Sequence, residues 1–384
     1  MAKVLRGLNV VEMGTFITGP AAAMYLGDLG ADVIKVERPG TGDPFRAYKG
    51  ELYSPHYQTF NRNKRSIELD TSNPSDLEVF DDLIRNADVF IQNFRPGVAE
   101  KLGAGEARLR QLNPRLIYCS ISGFGRTGPA SHRPGYDTVS QAASAFLSVL
   151  IPPEHPRIIG PAIGDNVTGF YTAFGVLAAL FERQRTGRGR LLEISMLEAM
   201  SHFNLDAFTH FFAAGEVMNP HSRPSVSQSY IFKCADDGRI AIHLSSPEKF
   251  WQGLAAAIDR PKLFDEPLFS ERHNRIKNQA KIVEYLAPIF SARPRAEWCV
   301  RLEANEVPYS PVYSTDEALD DPQAKHLQLA VEMNHPVKGK TKTVRPPYNF
   351  DGERILDVRR PPTLGEHNDE IRREVAKRKS TAAQ

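Results

Sequence analysis

Residues 7–40 read GLNVVEMGTFITGPAAAMYLGDLGADVIKVERPG, in the pattern of a strand, a helix and a second strand. Leu8–Met13 and Asp32–Val36 are short, apolar and rich in β-branched residues, which predicts two buried strands. The small residues of Gly19–Gly30 between them have helical character. Because a helical crossover joins strands that run in the same direction, this stretch predicts a parallel pair.

The same alternation continues through the first half of the chain. Further strands are predicted at Ser66–Leu69, Val89–Gln92, Arg115–Ser122 and Leu191–Ser195. Helical spacing of apolar residues predicts helices over Asp76–Asn86 and Asn166–Arg183, the second with a shared face of Phe170, Phe174, Leu177 and Phe181. The alternation predicts an α/β protein with a mostly parallel sheet, whose ligands bind beyond the carboxyl ends of the strands.

Composition excludes several classes of protein. The chain has 384 residues, and 48 Lys and Arg against 46 Asp and Glu give a formal net charge of +2, without the basic excess of a nucleic-acid binder. A hydrophobic content of 41% predicts a folded core and excludes global disorder. No apolar run approaches the ~20 residues of a membrane helix. The charges near the N-terminus predict no signal peptide.

The sequence contains no signature of a metal or redox site. Cys119, Cys234 and Cys299 lie far apart, which argues against a disulfide framework and predicts a cytoplasmic location. No HExxH, GxSxG or Walker A motif occurs, and the loop at 123–125 lacks the third glycine of a dinucleotide fingerprint. We therefore expect no metal and no tightly bound cofactor.

Asp165 has two interpretations, and its spacing alone leaves both open. It follows the flexible stretch GPAIG (160–164) and opens the predicted helix Asn166–Arg183. In the structural interpretation it is an N-cap, whose side chain accepts hydrogen bonds from the first amides of the helix. In the chemical interpretation its carboxylate stays ionised at the helix N-terminus, and nearby amides stabilise an oxyanion. A carboxylate is a sufficient nucleophile for an activated acyl group such as a thioester.

Eight stretches in one order resemble the class III CoA-transferases, a family that also contains the α-methylacyl-CoA racemases. They cover most of residues 1–200 and a C-terminal segment. They are GLNVVEMGTFITGPAAAMYLGDLGADVIKVERPGTGDPFR (7–46), NRNKRSIELD (61–70), ADVFIQNFRPG (87–97), NPRLIYCSISGFGRTGP (113–129), PGYDTVSQAAS (134–144), GDNVTGFYTAFGVLAAL (164–180), RTGRGRLLEISMLEA (185–199) and PPTLGEHNDEI (361–371). Each stretch is weak alone, and their order makes the resemblance specific.

The resemblance implies roles for individual residues. Asp165 matches the catalytic aspartate that attacks the acyl-CoA thioester, and Arg38 matches the arginine at the nucleotide end of coenzyme A. Further positions that match contacts to coenzyme A are Leu69, Asn93, Phe94, Arg95 and Lys101. Ile17 and Thr18 match the turn nearest the thioester, and Tyr136 and Asp137 align with the segment that lines the acyl site. Arginine and lysine suit these roles because they pair directly with phosphates.

The resemblance also implies the organisation of the molecule. We expect a Rossmann-like large domain over residues 1–200 and 330–384, and a smaller α/β domain over 225–315. Linkers are expected at 201–224 and 316–329, and the polar tail from Lys377 is expected to fray. The family forms interlaced homodimers, so we expect one here.

The resulting prediction is a CoA-transferase whose substrates are an acyl-CoA and a carboxylic acid. An acyl-CoA racemase is one alternative, but Tyr136 stands where racemases of the family have a histidine, and a phenol is a poor proton acceptor near pH 7. A non-catalytic CoA-binding protein is another, which the intact surroundings of Asp165 disfavour. The segment SRPSVSQS (222–229) contains no glycine, unlike the glycine-rich loop of formyl-CoA:oxalate transferases, so oxalate is a doubtful acceptor. Short dicarboxylates such as succinate are the substrates that the family suggests.

Overall fold

The computed structural model describes residues 3–49, 52–335 and 339–382. The other residues of the predicted large domain (1, 2, 50, 51, 336–338, 383 and 384) lie outside the described residues. The strands are β1 Asn9–Glu12, β2 Asp32–Glu37, β3 Lys64–Glu68, β4 Val89–Gln92, β5 Ile117–Ser122, β6 Leu191–Ser195, β7 Ser229–Lys233, β8 Arg239–His243, β9 Tyr309–Pro311, β10 Ala330–His335, β11 Gly339–Val344, β12 Asn349–Phe350 and β13 Glu353–Arg354.

The helices follow in chain order, with two short 3₁₀ turns at Pro44–Ala47 and Leu263–Asp265. They are α1 Thr18–Asp28, α2 Pro55–Phe60, α3 Pro74–Arg85, α4 Val98–Lys101, α5 Glu106–Leu112, α6 Asp137–Ala143, α7 Phe146–Leu150, α8 Ile163–Thr186, α9 Met196–Phe203, α10 Leu205–Ala214, α11 Ser222–Ser227, α12 Lys249–Ala257, α13 Arg272–Lys277, α14 Gln279–Phe290, α15 Arg295–Ala304, α16 Thr315–Asp320, α17 Pro322–His326 and α18 Asn368–Ala382. Within the described chain, no helix is long and apolar enough to cross a membrane.

Six strands form one parallel sheet in the order β3-β2-β1-β4-β5-β6. Val11 of β1 lies opposite Ile34 of β2 on one side and Phe90 of β4 on the other. The strand order therefore reverses at β1, and a crevice for a ligand forms at such a point, beyond the carboxyl ends of the strands. The mostly parallel sheet predicted from the sequence is confirmed.

Successive side chains of a strand point to opposite faces of the sheet. Helices cover both faces, so side chains on each face are buried. Val10 and Val33 pack with α1 and α8 on one face. Val11, Ile34 and Phe90 pack with α3, α5 and α18 on the other. The central strand β4, VFIQ, is apolar along most of its length, as a strand buried on both faces is, whereas the edge strand β3, KRSIE, is mostly charged and polar.

The sheet ends at β3, where the chain's last helix covers the edge. The guanidinium of Arg65 in β3 lies 2.9 Å from Glu370 and 2.8 Å from Glu374 of α18. Ile371 and Val375 of the same helix are buried against α3 and β3. The fraying expected from Lys377 is therefore wrong as far as Ala382, because this packing and these ion pairs hold the helix.

The chain divides into two compact units. The first comprises the residues up to 146, residues 158–205 and those from 328 onward, and it contains the six-stranded sheet. The second comprises residues 147–157 and 206–327. Its antiparallel strands β7, β8 and β9 form a small sheet, and its core includes the fully buried rings of Trp251, Trp298 and Phe290.

The segments expected as linkers are largely helical instead. The stretch 201–224 contains the end of α9, all of α10 and the start of α11, and the stretch 316–329 contains most of α16 and all of α17. At the end of the first of these stretches, His221 is the N-cap residue of α11 and Pro224 lies within its first turn, where proline is tolerated.

Candidate active site

A cavity of about 500 Å³ lies beyond the carboxyl ends of β1, β4 and β5, within the first unit. The loop after β1 contributes Thr15–Thr18, and the loop after β4 contributes Asn93–Pro96. The turn after β5 contributes Ser122 and Gly123, and Asp165 lines the same cavity. The cavity is thus at the reversal of strand order, where a parallel sheet of this kind binds its ligands.

Asp165 lies at the third position of α8, because the helix begins at Ile163 instead of Asn166. The N-cap interpretation of Asp165 is therefore wrong, and no side chain of the Ala162 N-cap replaces it. The side chain of Asp137 satisfies one of the free amides at the start of α8, since its Oδ1 accepts a hydrogen bond from the Asp165 amide at 3.2 Å. The side chain of Asp165 is left free for other contacts.

Gly164 allows α8 to begin so close to α6. A Cβ atom at this position would lie 2.6 Å from Ser140 Oγ and 3.2 Å from both the backbone oxygen and Oδ1 of Asp137. Gln141 holds the other oxygen of the Asp137 carboxylate with a hydrogen bond of 2.7 Å. The absence of a side chain at 164 thus brings two carboxyl groups together at one end of the cavity.

Burial and the nearby Asp137 carboxylate raise the pKa of Asp165 to about 7. The expectation of a fully ionised carboxylate is therefore wrong, because desolvation of the partly buried charge outweighs the favourable helix N-terminus. No residue of the described chain donates a hydrogen bond to the Asp165 carboxylate. The group can therefore exchange between a neutral acid and an unshielded carboxylate near neutral pH.

Asn93 fixes the loop that faces Asp165. Its Nδ2 donates to the Thr15 backbone oxygen at 2.7 Å and to Thr18 Oγ1 at 2.9 Å, while its Oδ1 accepts from the Thr15 amide at 2.9 Å. Phe16 within this loop has a φ of +61°, an uncommon backbone conformation for a side chain of its size. In the part of the chain that the structure describes, the amides of Ile17 and Thr18 have no acceptor.

Helix α1, which follows the loop after β1, and helix α8, which carries Asp165, are in close contact. A Cβ atom at Gly169 of α8 would lie 2.9 Å from Ala21 Cβ and 3.1 Å from the Thr18 backbone oxygen. Asp165 precedes Gly169 by about one turn, so its backbone lies beside the N-terminal end of α1. The unsatisfied amides of α1 and the carboxyl group of Asp165 therefore border the same space.

A network of buried charged side chains contacts the loop after β1, and the sequence analysis did not predict it. Lys35 Nζ lies 2.9 Å from Glu12 and 3.0 Å from Asp43, all three side chains being inaccessible to solvent. Asp43 Oδ1 accepts hydrogen bonds from the amides of Phe16 and Phe45, at 3.2 and 2.9 Å. Burial opposes the charge on Lys35, but the carboxylates of Glu12 and Asp43 outweigh it and raise the lysine's pKa. Charged residues inside otherwise apolar strands were the signal for this network.

Of the residues that the resemblance implied, eight line the cavity and three do not. The lining residues are Ile17, Thr18, Asn93, Phe94, Arg95, Tyr136, Asp137 and Asp165. Arg38 is exposed in the loop after β2, and Lys101 is exposed at the end of α4. Leu69 is buried in the core beside α3, so only its backbone or its neighbours are available to a ligand.

Arg133 is a cavity residue that sequence reasoning did not single out. Its loop rests against the turn after β5 at Gly123 and Gly135, where a Cβ atom on either glycine would lie within 2.7 Å of the other's Cα. Its guanidinium lies 4.8 Å from the ring centroid of Phe124. The HRPG sequence gave no hint of this position, because the approach of the two glycines is a tertiary contact.

Within the described residues, no group of three or more His, Cys, Asp or Glu side chains is arranged to hold a metal ion. His132 is exposed and does not line the cavity.

Comparison with known proteins gives consistent matches along the chain. The profile of CoA-transferase family III matches residues 5–368. The human succinyl-CoA:glutarate CoA-transferase is 32% identical over 381 residues, which cover 97% of this chain and 86% of that protein. The formyl-CoA:oxalate CoA-transferase of Streptomyces coelicolor is 32% identical over 390 residues, covering 96% of this chain and 94% of that protein.

A solved structure shows the same architecture. The crystal structure of a CAIB/BAIF family protein from Brucella suis is 31% identical, with a TM-score of 0.86, and the match covers 97% of this chain and 99% of the other. A TM-score of this size over nearly the full length of both chains means that the two share their fold.

Proposed function

The chain belongs to CoA-transferase family III and is a CoA-transferase, and we propose that it moves CoA from an acyl-CoA to a carboxylic acid through the side chain of Asp165. The observation that carries this proposal is the Asp165 carboxyl group, free of internal hydrogen bonds and lining the cavity at the reversal of strand order. No other carboxyl group of the described lining is in this condition, because Asp137 is engaged by Gln141 and the Asp165 amide.

The reaction consists of four substitutions at acyl carbons. The Asp165 carboxylate attacks the donor thioester; the C–S bond breaks, leaving a mixed anhydride and the CoA thiolate. The thiolate attacks the aspartyl carbonyl, releases the donor acid and leaves an aspartyl-CoA thioester. The acceptor carboxylate attacks that thioester and expels the thiolate, which then attacks the acyl carbonyl of the new anhydride. The product acyl-CoA leaves, and Asp165 is again a carboxylate.

The surroundings of Asp165 support these steps electrostatically. Each substitution places negative charge on a carbonyl oxygen, and free backbone amides are suited to stabilise it. The amides of Ile17 and Thr18 are the candidates, since they border the site without an acceptor in the described chain. Asp137 repels negative charge on Asp165, which favours its acylated, neutral forms.

We assign the binding of coenzyme A to the residues that the family resemblance implied. Arg95 lines the cavity, and Arg38 in the loop after β2 and Lys101 at the end of α4 are exposed cations that suit the phosphates of coenzyme A. Asn93 and Phe94 line the entrance from the loop after β4, and Leu69 contributes its backbone. No cofactor is required, because coenzyme A is itself the group transferred.

The residues that line the cavity with Asp165 favour transfer over racemisation. Racemisation requires an acid and a base on opposite faces of the α-carbon. Tyr136 lines the cavity at the position where racemases of the family have a histidine, and no histidine lines it among the described residues. A 2-methylacyl-CoA incubated in deuterium oxide without an acceptor acid should therefore not exchange its α-proton; rapid exchange would contradict the assignment.

The names of the relatives suggest the substrate class. Proteins that resemble this chain act, by their names, on succinyl-CoA with glutarate or with D-citramalate, and on formyl-CoA with oxalate. We propose short dicarboxylic acids and their CoA thioesters as the substrates here. Oxalate is the least expected of them, because residues 222–229 contain no glycine.

We further propose an interlaced homodimer in the cytoplasm. The support for self-association is an apolar strip on α8, where Phe170, Phe174 and Phe181 are 55, 65 and 67% exposed. Single exposed apolar residues are ordinary, but several of them together on one helix form an apolar patch, and such a patch marks an interaction site. Three free thiols suit a reducing compartment. Light scattering of the purified protein should give the mass of a dimer, and Phe174→Glu should lower it; a wild-type monomer would refute the dimer.

The nucleophile is tested by trapping it. Incubation with a donor acyl-CoA followed by hydroxylamine should convert Asp165 to a hydroxamate, and peptide mass spectrometry should locate it there. Asp165→Asn should abolish both labelling and CoA transfer, whereas Glu100→Gln, an exposed residue outside the cavity, should leave both unchanged. Labelling at another residue, or full turnover by Asp165→Asn, would overturn the proposal.

A further inference from the structure

The lining of the cavity includes Arg133, an exposed cation on the loop that precedes α6. Arg133 follows a tight turn in which its amide donates to the Ala130 backbone oxygen at 2.9 Å. The close approach of Gly123 and Gly135 fixes this loop to the end of β5. Arg133 and Asp165 line the same cavity, so the guanidinium is placed to meet a substrate that reacts at Asp165.

The guanidinium of Arg133 has no protein acceptor. Over residues 3–49, 52–335 and 339–382, it makes no side-chain hydrogen bond and no ion pair, and its contact is the stacking on Phe124 at 4.8 Å. Arg126 in the preceding turn is different, because Glu193 and Glu100 lie 3.3 and 3.6 Å from it. A stacked guanidinium keeps its five N–H donors available in the plane of the ring system.

The charges of the cavity leave Arg133 as the cation for the acid substrate. Its described lining carries two carboxyl groups, Asp137 and Asp165, and two guanidinium groups, Arg95 and Arg133. The two carboxyl groups repel an approaching anion, so a carboxylate substrate requires a cation on the way. Arg95 is already assigned to coenzyme A, and it follows Phe94 on the loop after β4.

We propose that Arg133 binds the non-reacting carboxylate of a dicarboxylic substrate and so selects dicarboxylic over monocarboxylic acyl groups. This inference rests on the transfer reaction proposed above. The reacting carboxylate loses its charge when it becomes an anhydride or a thioester. The distal carboxylate stays charged through every step, and a guanidinium, which cannot lose its proton near neutral pH, is its matched partner and binds it with two parallel hydrogen bonds.

Two acids that differ only in the distal carboxylate test this role. The wild-type enzyme is assayed with succinyl-CoA as donor and either glutarate or pentanoate as acceptor, and kcat/KM should be higher for glutarate. Arg133→Gln should lower kcat/KM for glutarate roughly 10- to 100-fold, the loss of one charge-assisted pair, and should change the value for pentanoate less than about threefold. The same comparison is made between two donors: succinyl-CoA, which carries a distal carboxylate, and butyryl-CoA, which lacks it.

Matched variants separate this role from a structural one. Arg133→Lys should recover part of the glutarate activity, and Arg126→Gln, which removes an internally paired arginine outside the main cavity lining, should leave the acid preference unchanged. The dissociation constant of free CoA should be the same for the wild type and Arg133→Gln. Weaker CoA binding would show that Arg133 is a phosphate contact instead.

The outcomes also distinguish this inference from the proposed reaction. Equal losses for glutarate and pentanoate, or an unchanged glutarate value in Arg133→Gln, would overturn the role of Arg133 while wild-type transfer and labelling of Asp165 still stand. Absence of transfer to every acid and absence of labelling in the wild type would refute the reaction itself, and the role of Arg133 with it.

Discussion

Opposing influences set the ionisation of Asp165. The amides at the start of α8 favour its charged form, whereas partial burial and the carboxylate of Asp137 favour the neutral form. Burial and the Asp137 carboxylate outweigh the helix amides, and the pKa of Asp165 rises to about 7. Both the neutral acid and the nucleophilic carboxylate are therefore populated near neutral pH.

The first prediction is a pH profile governed by this group. Because the pKa of Asp165 is about 7, kcat/KM should rise about tenfold per pH unit below pH 7 and level off above it. Asp137→Asn removes one of the two causes of the raised pKa and should move the acid limb to lower pH by about one unit. Glu100→Gln is the control. An acid limb that stays in place in Asp137→Asn would show that burial alone raises the pKa.

The second prediction concerns stability. A carboxyl group whose folded pKa is raised from 3.8 to about 7 holds its proton in the folded state while the unfolded chain loses it, so stability falls as pH rises through that window. Asp165→Asn mimics the neutral form and should be about 2 kcal/mol more stable than the wild type at pH 8, allowing for the partial exposure of the carboxylate. Urea denaturation at pH 4 and pH 8 measures this, and an advantage that fails to grow with pH would contradict it.

Some of these residues were predictable from the sequence, and others were not. Asp165 was a candidate because it stands at a helix start among small residues, and the resemblance gave it a role. Its neighbour Asp137 lies 28 positions away, and its contact with the Asp165 amide depends on how α6 meets α8. Arg133 was hidden for the same reason, since no local pattern marks a loop that folds toward a cavity.

The start of α8 depends on its packing against α6 at Gly164. Sequence periodicity predicted this helix from Asn166, three residues late, because the residues before it, GPAIG, resemble a flexible loop. The start of α8 at Ile163 depends on the contact of Gly164 with α6, which no pattern within the helix records. Strands β4 and β6, in contrast, were predicted with the bounds that they have, since each is a short run of mostly apolar residues, VFIQ and LLEIS.

The third prediction follows from this contact. In Gly164→Ala the new Cβ would lie 2.6 Å from Ser140 Oγ, so α6 and α8 must separate and Asp137 must move away from Asp165. The substitution should destabilise the protein by about 1–3 kcal/mol and lower kcat at least about tenfold. Gly175→Ala, later in the same helix, would press only on the flexible end of Leu192, at 2.9 Å, and should keep its kcat. Equal kcat values in the two variants would refute the positional role of Gly164.

The first unit of the molecule is assembled from three separate parts of the chain. Arg372 and Arg378 of α18 pair with Asp76 and Asp82 of α3, nearly 300 residues earlier. The tail sequence is polar and gave no sign of this docking, because its buried residues, Ile371 and Val375, are too few to form an amphipathic pattern. The stretch 361–371 that carries the resemblance overlaps only the first four residues of α18, 368–371.

The fourth prediction tests how far the last helix supports this unit. Ile371 is fully buried in the core that α18 shares with α3 and β3. Ile371→Ala should lower the free energy of unfolding by about 2–5 kcal/mol, whereas Arg373→Ala, on the exposed side of the same helix, should change it by less than about 0.5 kcal/mol. Urea unfolding followed by circular dichroism measures both. Similar values for the two variants would mean that α18 is only loosely attached.

The docking of α18 on β3 has a consequence during synthesis. The ribosome releases β3 and α3 early, but the helix that covers their core emerges some 300 residues later. Residues 206–327 are complete before that point, so the second unit is free to fold while the first still exposes apolar surface. The apolar surface that α18 covers is therefore exposed for the interval between β3 and α18, and slow translation of residues 328–367 would lengthen that exposure.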